Sequence, residues 1–267
     1  MMSVTATSQR TLRVVFVCPE EPSVMPLFFE KVIPRLYAEI AAIAVVSPIY
    51  KRSSWLRQAK QFADAFGLRE FAVEAMAYTK HKAVDLVPIG RRHSVKRIAR
   101  ANEVRLLTPE SVNGAEFLEE LRALDPDLVI SVSCPQIFGR ELLELPRLGC
   151  INVHSALLPD YRGVLPTFWV LARGETQTGV TVHFMSPGID GGEIIAQQEL
   201  AISPDETLHS LMRRCKSAAA DLILETVDRF REGPVATIPN PAEEGSYFSF
   251  PKRDDVRQFK ARGRALR

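Results

Sequence analysis

The 267-residue chain holds only four cysteines, Cys18, Cys134, Cys150 and Cys215, and no two are spaced as CxxC. That scatter suggests neither a thiolate zinc site nor a disulfide framework. Three of the four sit in apolar runs and read as small core residues. No apolar run reaches the ~18 residues of a membrane-spanning helix. The polar opening MMSVTATSQR also lacks the apolar centre of a secretory signal. Lys plus Arg number 34 against 32 Asp plus Glu, a net charge of +2, too small for a dedicated nucleic-acid binder. Two cofactor signatures of α/β enzymes are missing as well. Cys18 leads into Pro-Glu-Glu-Pro rather than a GxGxxG turn, and no GxxxxGK[ST] segment occurs. A standard dinucleotide oxidoreductase or P-loop enzyme is thereby disfavoured. The default expectation is a soluble cytoplasmic protein.

What the chain does contain is an ordinary folding composition, 46% hydrophobic and 25% charged, which rules out wholesale disorder. Leu12 to Cys18, Ile40 to Ser47 and Asp127 to Cys134 are continuous apolar runs rich in β-branched residues. Such runs read as strands buried on both faces. Helices are expected over 28–36, with Pro34 kinking or ending it, and over 55–66, closed by Gly67. Further helices are expected over 94–101, 113–124, 138–143 and 167–172, and residues 70–83 could form another. Shorter strands are expected over 104–107, 149–154, 178–185 and 193–201. The best-marked helix is opened by Ser203, Pro204 and Glu206 as a capping box. It carries apolar residues at helical spacing from Leu208 to Phe230 and stops at Gly233-Pro234. Alternating strand and helix imply an α/β fold with a largely parallel central sheet. The tail after residue 235 reads as an extended appendage. Residues 1–10 are thus a flexible N-terminus, 11–235 the main domain, and 236–267 a short C-terminal extension.

The informative region is Gly149 to Ile195. Asn152 and His154 stand at i and i+2 at the end of a strand, so they point to one side. Carboxyl strand ends line the ligand crevice of an open α/β sheet. An amide there can donate to an oxyanion, and an imidazole can move a proton. Taken alone, polar residues at a strand end more often just satisfy neighbouring backbone groups. The loop Leu157-Leu158-Pro159-Asp160-Tyr161-Arg162-Gly163, with Pro166 after it, is either routine turn chemistry or a pocket wall. Asp190, between Gly188 and Gly191-Gly192, is either a turn aspartate or the partner of the imidazole.

Together, NxH, LLPxYRG, TGVTVHxM and DxG at this spacing resemble the 10-formyltetrahydrofolate-dependent formyltransferase family. That family includes glycinamide ribonucleotide transformylase, methionyl-tRNA formyltransferase and the sugar N-formyltransferases. The close resemblance covers residues 127–232, and the N-terminal strands fit the family's Rossmann-like fold more loosely. The resemblance implies a catalytic set of Asn152, His154 and Asp190. Asn152 and His154 would stabilise the tetrahedral oxyanion, and His154, supported by Asp190, would carry a proton from the amine to the folate nitrogen. It implies 10-formyltetrahydrofolate as co-substrate and no metal. The folate would lie against Ser133, Cys134, Pro135, Gln136 and Ile137 on one side and Ser186, Gly188 and Ile189 on the other. Tyr161, Arg162, Gly163 and Pro166 would face the acceptor. One departure is Ala156 before Leu-Leu-Pro, where family members often carry serine; Ser155 stands one residue earlier.

The resemblance also bears on the acceptor. Methionyl-tRNA enzymes carry a C-terminal β-barrel, and the stretch after Phe230 is too short for one, so nucleic acid is not expected as a partner. Pro166-Thr167-Phe168-Trp169 with Gly174-Glu175, and the tail motif Tyr247-Phe248-Ser249-Phe250-Pro251, look more like the sugar N-formyltransferases. The expected acceptor is the primary amine of a nucleotide-linked amino sugar. Alternatives are another small amine such as glycinamide ribonucleotide, a hydrolase, and a folate- or nucleotide-binding module without turnover. A homodimer is left open. Lys80 to Arg105 holds eight Lys/Arg against two Asp/Glu, and Lys252 to Arg267 seven against two. Either stretch could draw an anion, although solvated faces are the commoner meaning of such runs.

Overall fold

The computed structural model describes residues 11–47, 52–86, 93–241 and 243–267. The N-terminus expected over 1–10 lies outside them, as do 87–92 of the first basic stretch. The first long apolar run becomes β1 (Val14–Pro19), an interior strand of the sheet. Its side chains alternate between two cores. Val14, Phe16 and Cys18 face one, and Val15 and Val17 face the other, as period-2 geometry requires. The strand β2 (Ile40–Val46) splits in the same way, with Ile43 and Val45 on the first face and Ala42, Ala44 and Val46 on the second. Between them runs α1 (Met25–Leu36), which accommodates Pro34 in its last turn without ending there.

The helices α2 (Arg52–Phe66) and α3 (Leu68–Leu86) meet at Gly67, whose φ of +103° is a conformation L-residues rarely adopt. Next come α4 (Val95–Ala101), capped by the Ser94 hydroxyl, β3 (Leu106–Leu107) and α5 (Ala115–Leu124). They are followed by β4 (Leu128–Val132), α6 (Arg140–Glu144) and β5 (Cys150–His154). The five strands β1 to β5 are parallel. After β6 (Arg162–Gly163) and α7 (Pro166–Arg173), β7 (Gln177–Phe184) and β8 (Ile194–Ala201) complete the sheet as antiparallel strands. The order is β3-β2-β1-β4-β5-β7-β8. Chain direction across the sheet reverses between β1 and β4, the place where such folds open a ligand crevice at the carboxyl strand ends.

The long helix α8 (Leu208–Glu232) covers the first face of the sheet. Its cap differs from the expected one. Thr207 and Ser210 cap each other reciprocally, the Ser210 amide donating to Thr207 Oγ1 at 3.1 Å and the Thr207 amide to Ser210 Oγ at 3.0 Å. Glu206 instead takes Arg214 and the Ser210 hydroxyl. The shift follows from geometry, since Ser203 to Glu206 turn before the helical dihedrals begin.

The C-terminal segment is not an extended appendage. β9 (Tyr247–Phe248) pairs with β6, and α9 (Arg253–Ala261) packs on α2 and α7. Phe259 is fully buried, its ring stacked 5.1 Å from Phe168. The basic residues that look like a free cationic tail are committed internally. Lys260 pairs with Glu70 and Arg267 with Glu74, while Arg262 and Arg264 donate to carbonyls of Ala172, Ser203 and Pro204. Truncating a buried phenylalanine costs about 3–5 kcal/mol. Phe259→Ala should therefore lower the denaturant midpoint markedly, by about that free energy in urea unfolding; an effect below ~1 kcal/mol would show that α9 is dispensable to the core.

Candidate active site

β4 and β5 end at the same edge, with Ser131 beside Asn152 in the parallel register. The antiparallel register of β7 sets His183 opposite Asn152 and Thr181 opposite His154. Asn152 and His154 therefore share a side of the sheet with His183, and His154 is 6% exposed. The loop between β7 and β8 brings in a carboxylate. Gly192 packs so closely that a Cβ there would lie 1.9 Å from the Phe184 carbonyl oxygen, so only glycine lets the loop fold back. Asp190 follows the turn with φ +50°. Its carbonyl and that of Gly192 each accept from the Asn240 amide at 2.9 Å, and its Oδ2 accepts from the Gly163 amide at 2.9 Å.

The hydrogen bonds assign the tautomers. His183 Nδ1 lies 2.7 Å from the Phe184 carbonyl oxygen. A carbonyl only accepts, so Nδ1 carries a proton. The remaining nitrogen, Nε2, accepts from the Asn152 side-chain amide at 3.2 Å. Burial holds this ring neutral, pushing it down to about 4 against the opposing field of Asp190. His154 is wired the other way. Its Nε2 donates to the Tyr161 carbonyl at 2.9 Å, and its Nδ1 faces Asp190 Oδ2 at 3.6 Å. A proton on Nδ1 sits between ring and carboxylate; without it, two lone pairs face each other. Asn152 retains a second N–H beyond the one given to His183, available to an oxygen that develops charge.

Two adjoining cavities meet at Asn152 and Asp190, of about 120 Å³ and about 470 Å³. The smaller lies between the loop after β4 and the loop after β7. Ile137 and Ile189, 67% and 43% exposed, line it from these two loops. The larger is bounded by the β5 end, the 163–167 loop, Tyr247 and α8.

A family model described as formyl transferase matches residues 49–227, about two thirds of the chain. The chain belongs to the formyl transferase family. A methionyl-tRNA formyltransferase of Thermotoga maritima is 34% identical over 203 residues, covering 71% of this chain and 65% of the relative. The chain spans between 45% and 66% of the length of such curated relatives. Among solved structures, glycinamide ribonucleotide transformylase 1 from Symbiobacterium toebii has a TM-score of 0.59 at 18% identity, covering 84% of this chain and 90% of that one. The N-formyltransferase from Helicobacter canadensis, solved with folinic acid and dTDP-3-aminofucose, has a TM-score of 0.58 at 19% identity, covering 91% and 72%. Identities this low establish a shared fold.

Within this formyl transferase chain, the residues singled out from sequence fall into two groups. Asn152, His154 and Asp190 converge. Cys134, Gln136, Ile137 and Ile189 line both cavities, Ser186 and Gly188 the smaller, and Ser133, Pro135, Gly163 and Pro166 the larger. The Gln136 side chain is committed elsewhere. It accepts from the Val112 amide and donates to the carbonyls of Ser47 and Glu110, which fastens the loop to its neighbours. The Cys134 thiol is pushed up to about 11 by burial and stays protonated. Tyr161 and Arg162 line neither cavity. The Tyr161 hydroxyl donates to Glu175 at 2.5 Å and its ring stacks on Phe248, so its contribution to the site is the carbonyl that holds His154.

His183, Asn240, Tyr247 and Lys216 were not singled out as site residues. His183 lay within the quoted TGVTVHxM motif, but only strand register reveals what it faces. The neutral state of His183 has a consequence for stability. A free histidine takes its proton near 6.5, whereas this one holds off until about 4. The unfolded chain therefore binds the extra proton first, and stability declines as pH falls from about 6.5 towards 4. His183→Gln should flatten that decline in urea midpoints measured against pH; an unchanged slope would show that the ring does not titrate in this window.

Proposed function

We propose that this protein transfers the formyl group of 10-formyltetrahydrofolate to a primary amine. The observation that carries this reading is the convergence of Asn152, His154 and Asp190 at the junction of two cavities in a chain of this family. The folate would enter the smaller cavity, its ring held between Ile137 and Ile189 and read by backbone groups of the 133–138 and 186–190 loops. The acceptor would occupy the larger one, whose volume suits a small molecule. The amine nitrogen attacks the formyl carbon. The free N–H of Asn152 donates to the oxyanion of the tetrahedral intermediate, and the His154 ring, when protonated, offsets its charge through space. The His154–Asp190 pair takes the proton that the amine loses. It returns a proton to the folate nitrogen as the carbon–nitrogen bond breaks, so that nitrogen leaves as a neutral amine.

For the acceptor we favour a nucleotide-linked amino sugar. Tyr247 lies on the larger cavity, and the Trp169 indole donates to the Ser249 carbonyl at 3.0 Å. Of the two motifs that resemble the sugar enzymes, Pro166, Thr167 and Tyr247 line this cavity. The amine of an aminoacyl-tRNA is the second reading, favoured by the curated relatives, which are methionyl-tRNA formyltransferases. The Lys/Arg residues of 252–267 speak against it, since several of them are tied to carbonyls and carboxylates of the same chain.

Tetrahydrofolate release from 10-formyltetrahydrofolate tests the reading, with nucleotide-linked amino sugars and methionyl-tRNA supplied in parallel. Release should require one acceptor and fall by about 10²–10⁴-fold in His154→Ala. Release at equal rate without any amine would identify a hydrolase instead. Binding of folinic acid with no turnover of any acceptor would favour a module that has lost catalysis.

A further inference from the structure

The helix α3 is inverted for a surface helix. Glu70, Glu74, Ala77 and His81, at i, i+4, i+7 and i+11, are half-buried against the protein. Glu70 pairs there with Lys260, and Glu74 accepts from Arg267 through two hydrogen bonds of 2.8 and 2.9 Å. The His81 ring stacks on that of His93, with centroids 4.3 Å apart. The opposite face carries Leu68, Ala72, Ala75, Met76, Thr79 and Ala83, and all six are exposed. Leu68 is 77% and Met76 65% exposed, and Val73 beside them is exposed as well. The Thr79 hydroxyl donates to the Ala75 carbonyl at 2.8 Å, so the polar group on this face is already satisfied when water leaves.

Amphipathic helices of globular proteins turn their apolar stripe to the core. An exposed row of large apolar side chains marks a surface of interaction, and the charges around it say with what. Arg69, Val73, Met76 and Lys80 recur at i, i+4, i+7 and i+11, so two cations border the apolar face. Among the described residues of α2 and α3, the exposed charged side chains are Arg57, Lys60, Arg69 and Lys80 against Asp64 alone. The described carboxylates of α3 itself, Glu70 and Glu74, are turned inward and paired. A second copy fits poorly. Antiparallel pairing of two α3 helices about Ala75 sets Arg69 beside Lys80, and parallel pairing sets each cation beside its own counterpart. Like charges meet either way. A partner helix would need a groove to lie in, whereas this is the convex face of one helix. A convex apolar face bordered by cations suits a broad surface that is anionic outside and apolar beneath.

We propose that the exposed face of α3 docks on the surface of an anionic lipid bilayer. Leu68, Val73 and Met76 enter the boundary between headgroups and acyl chains, and Arg69 and Lys80 meet the negative headgroups. The helix lies along the surface. Among the described residues no helix is long and apolar enough to cross a membrane, and the pairs of Glu70 and Glu74 tie the inner side of α3 to the protein. Docking needs neither folate nor acceptor, so it stands or falls apart from the transferase reading.

The test is co-sedimentation of the whole chain with vesicles of equimolar phosphatidylglycerol and phosphatidylcholine, against vesicles of phosphatidylcholine alone. Wild type is compared with two double variants, Leu68→Asp with Met76→Asp and Arg69→Gln with Lys80→Gln. Unchanged urea midpoints would show that both are folded, since these side chains lie on the surface. Wild type should bind the anionic vesicles saturably and the neutral ones at least about 10-fold more weakly. Each double variant should bind the anionic vesicles about 10–30-fold more weakly than wild type, from lost charge in one and lost apolar burial in the other. Binding equal to wild type in either variant, or equal binding to both vesicles, would overturn the proposal. Absence of binding to anionic vesicles would overturn it in favour of an acidic protein surface. A wild-type dimer in sedimentation equilibrium that Leu68→Asp with Met76→Asp dissolves would overturn it in favour of a second copy. If a variant does not fold, methionine labelled with carbon-13 at the methyl decides on wild type. A spin label on the lipid chain should broaden the Met76 signal and spare that of buried Met25; a Met76 signal left sharp would overturn the proposal.

Discussion

The Asp190 carboxylate is held in place by a backbone amide from a different part of the chain. Gly163 donates to one of its oxygens, while Asn240 clamps the main chain on both sides of the turn. Gly163 can sit so close to β9 only because it lacks a side chain; a Cβ there would lie 2.2 Å from the Phe248 carbonyl. The β6–β9 ribbon, the β7–β8 turn and the segment before β9 therefore converge on one carboxylate. Both histidines lie against it. It faces His154 through Nδ1 and His183 through Nε2, at 3.6 and 3.7 Å.

The two rings show how environment divides labour between identical side chains. His183 is fully wired, donating to the Phe184 carbonyl and accepting from Asn152, and burial keeps it neutral. It orients the amide of Asn152. His154 has one nitrogen anchored to the Tyr161 carbonyl and the other left facing a carboxylate. The sheet register sets this contrast, because β7 is antiparallel and so brings a residue of its own last turn of strand opposite Asn152.

The C-terminal segment ties chemistry to stability. Residues beyond α8 supply Asn240 behind Asp190, Tyr247 on the cavity wall and Phe259 in the core. Losing this segment would loosen the site and the fold together, because the same stretch packs against both.

Much of the central α/β core was legible in the residues themselves. Continuous β-branched runs such as Val14 to Cys18 read as strands buried on both faces, and the apolar spacing from Leu208 to Phe230 reads as one face of a long helix. Asn152, His154 and Asp190 were singled out through the family resemblance, since an i, i+2 pair at a strand end and an aspartate among glycines each admit a routine reading by themselves; the structure brings the three to one cavity. Tertiary structure alone decided what those residues meet. His183 gains its meaning from strand register, Tyr161 loses its side chain to Glu175, and the charged tail turns inward because Glu70, Glu74 and several carbonyls await it. Short-range order follows from dihedral preference and hydrophobic period, which each segment carries by itself. Which partner a polar group finds depends on the whole chain closing around it, and no segment carries that alone.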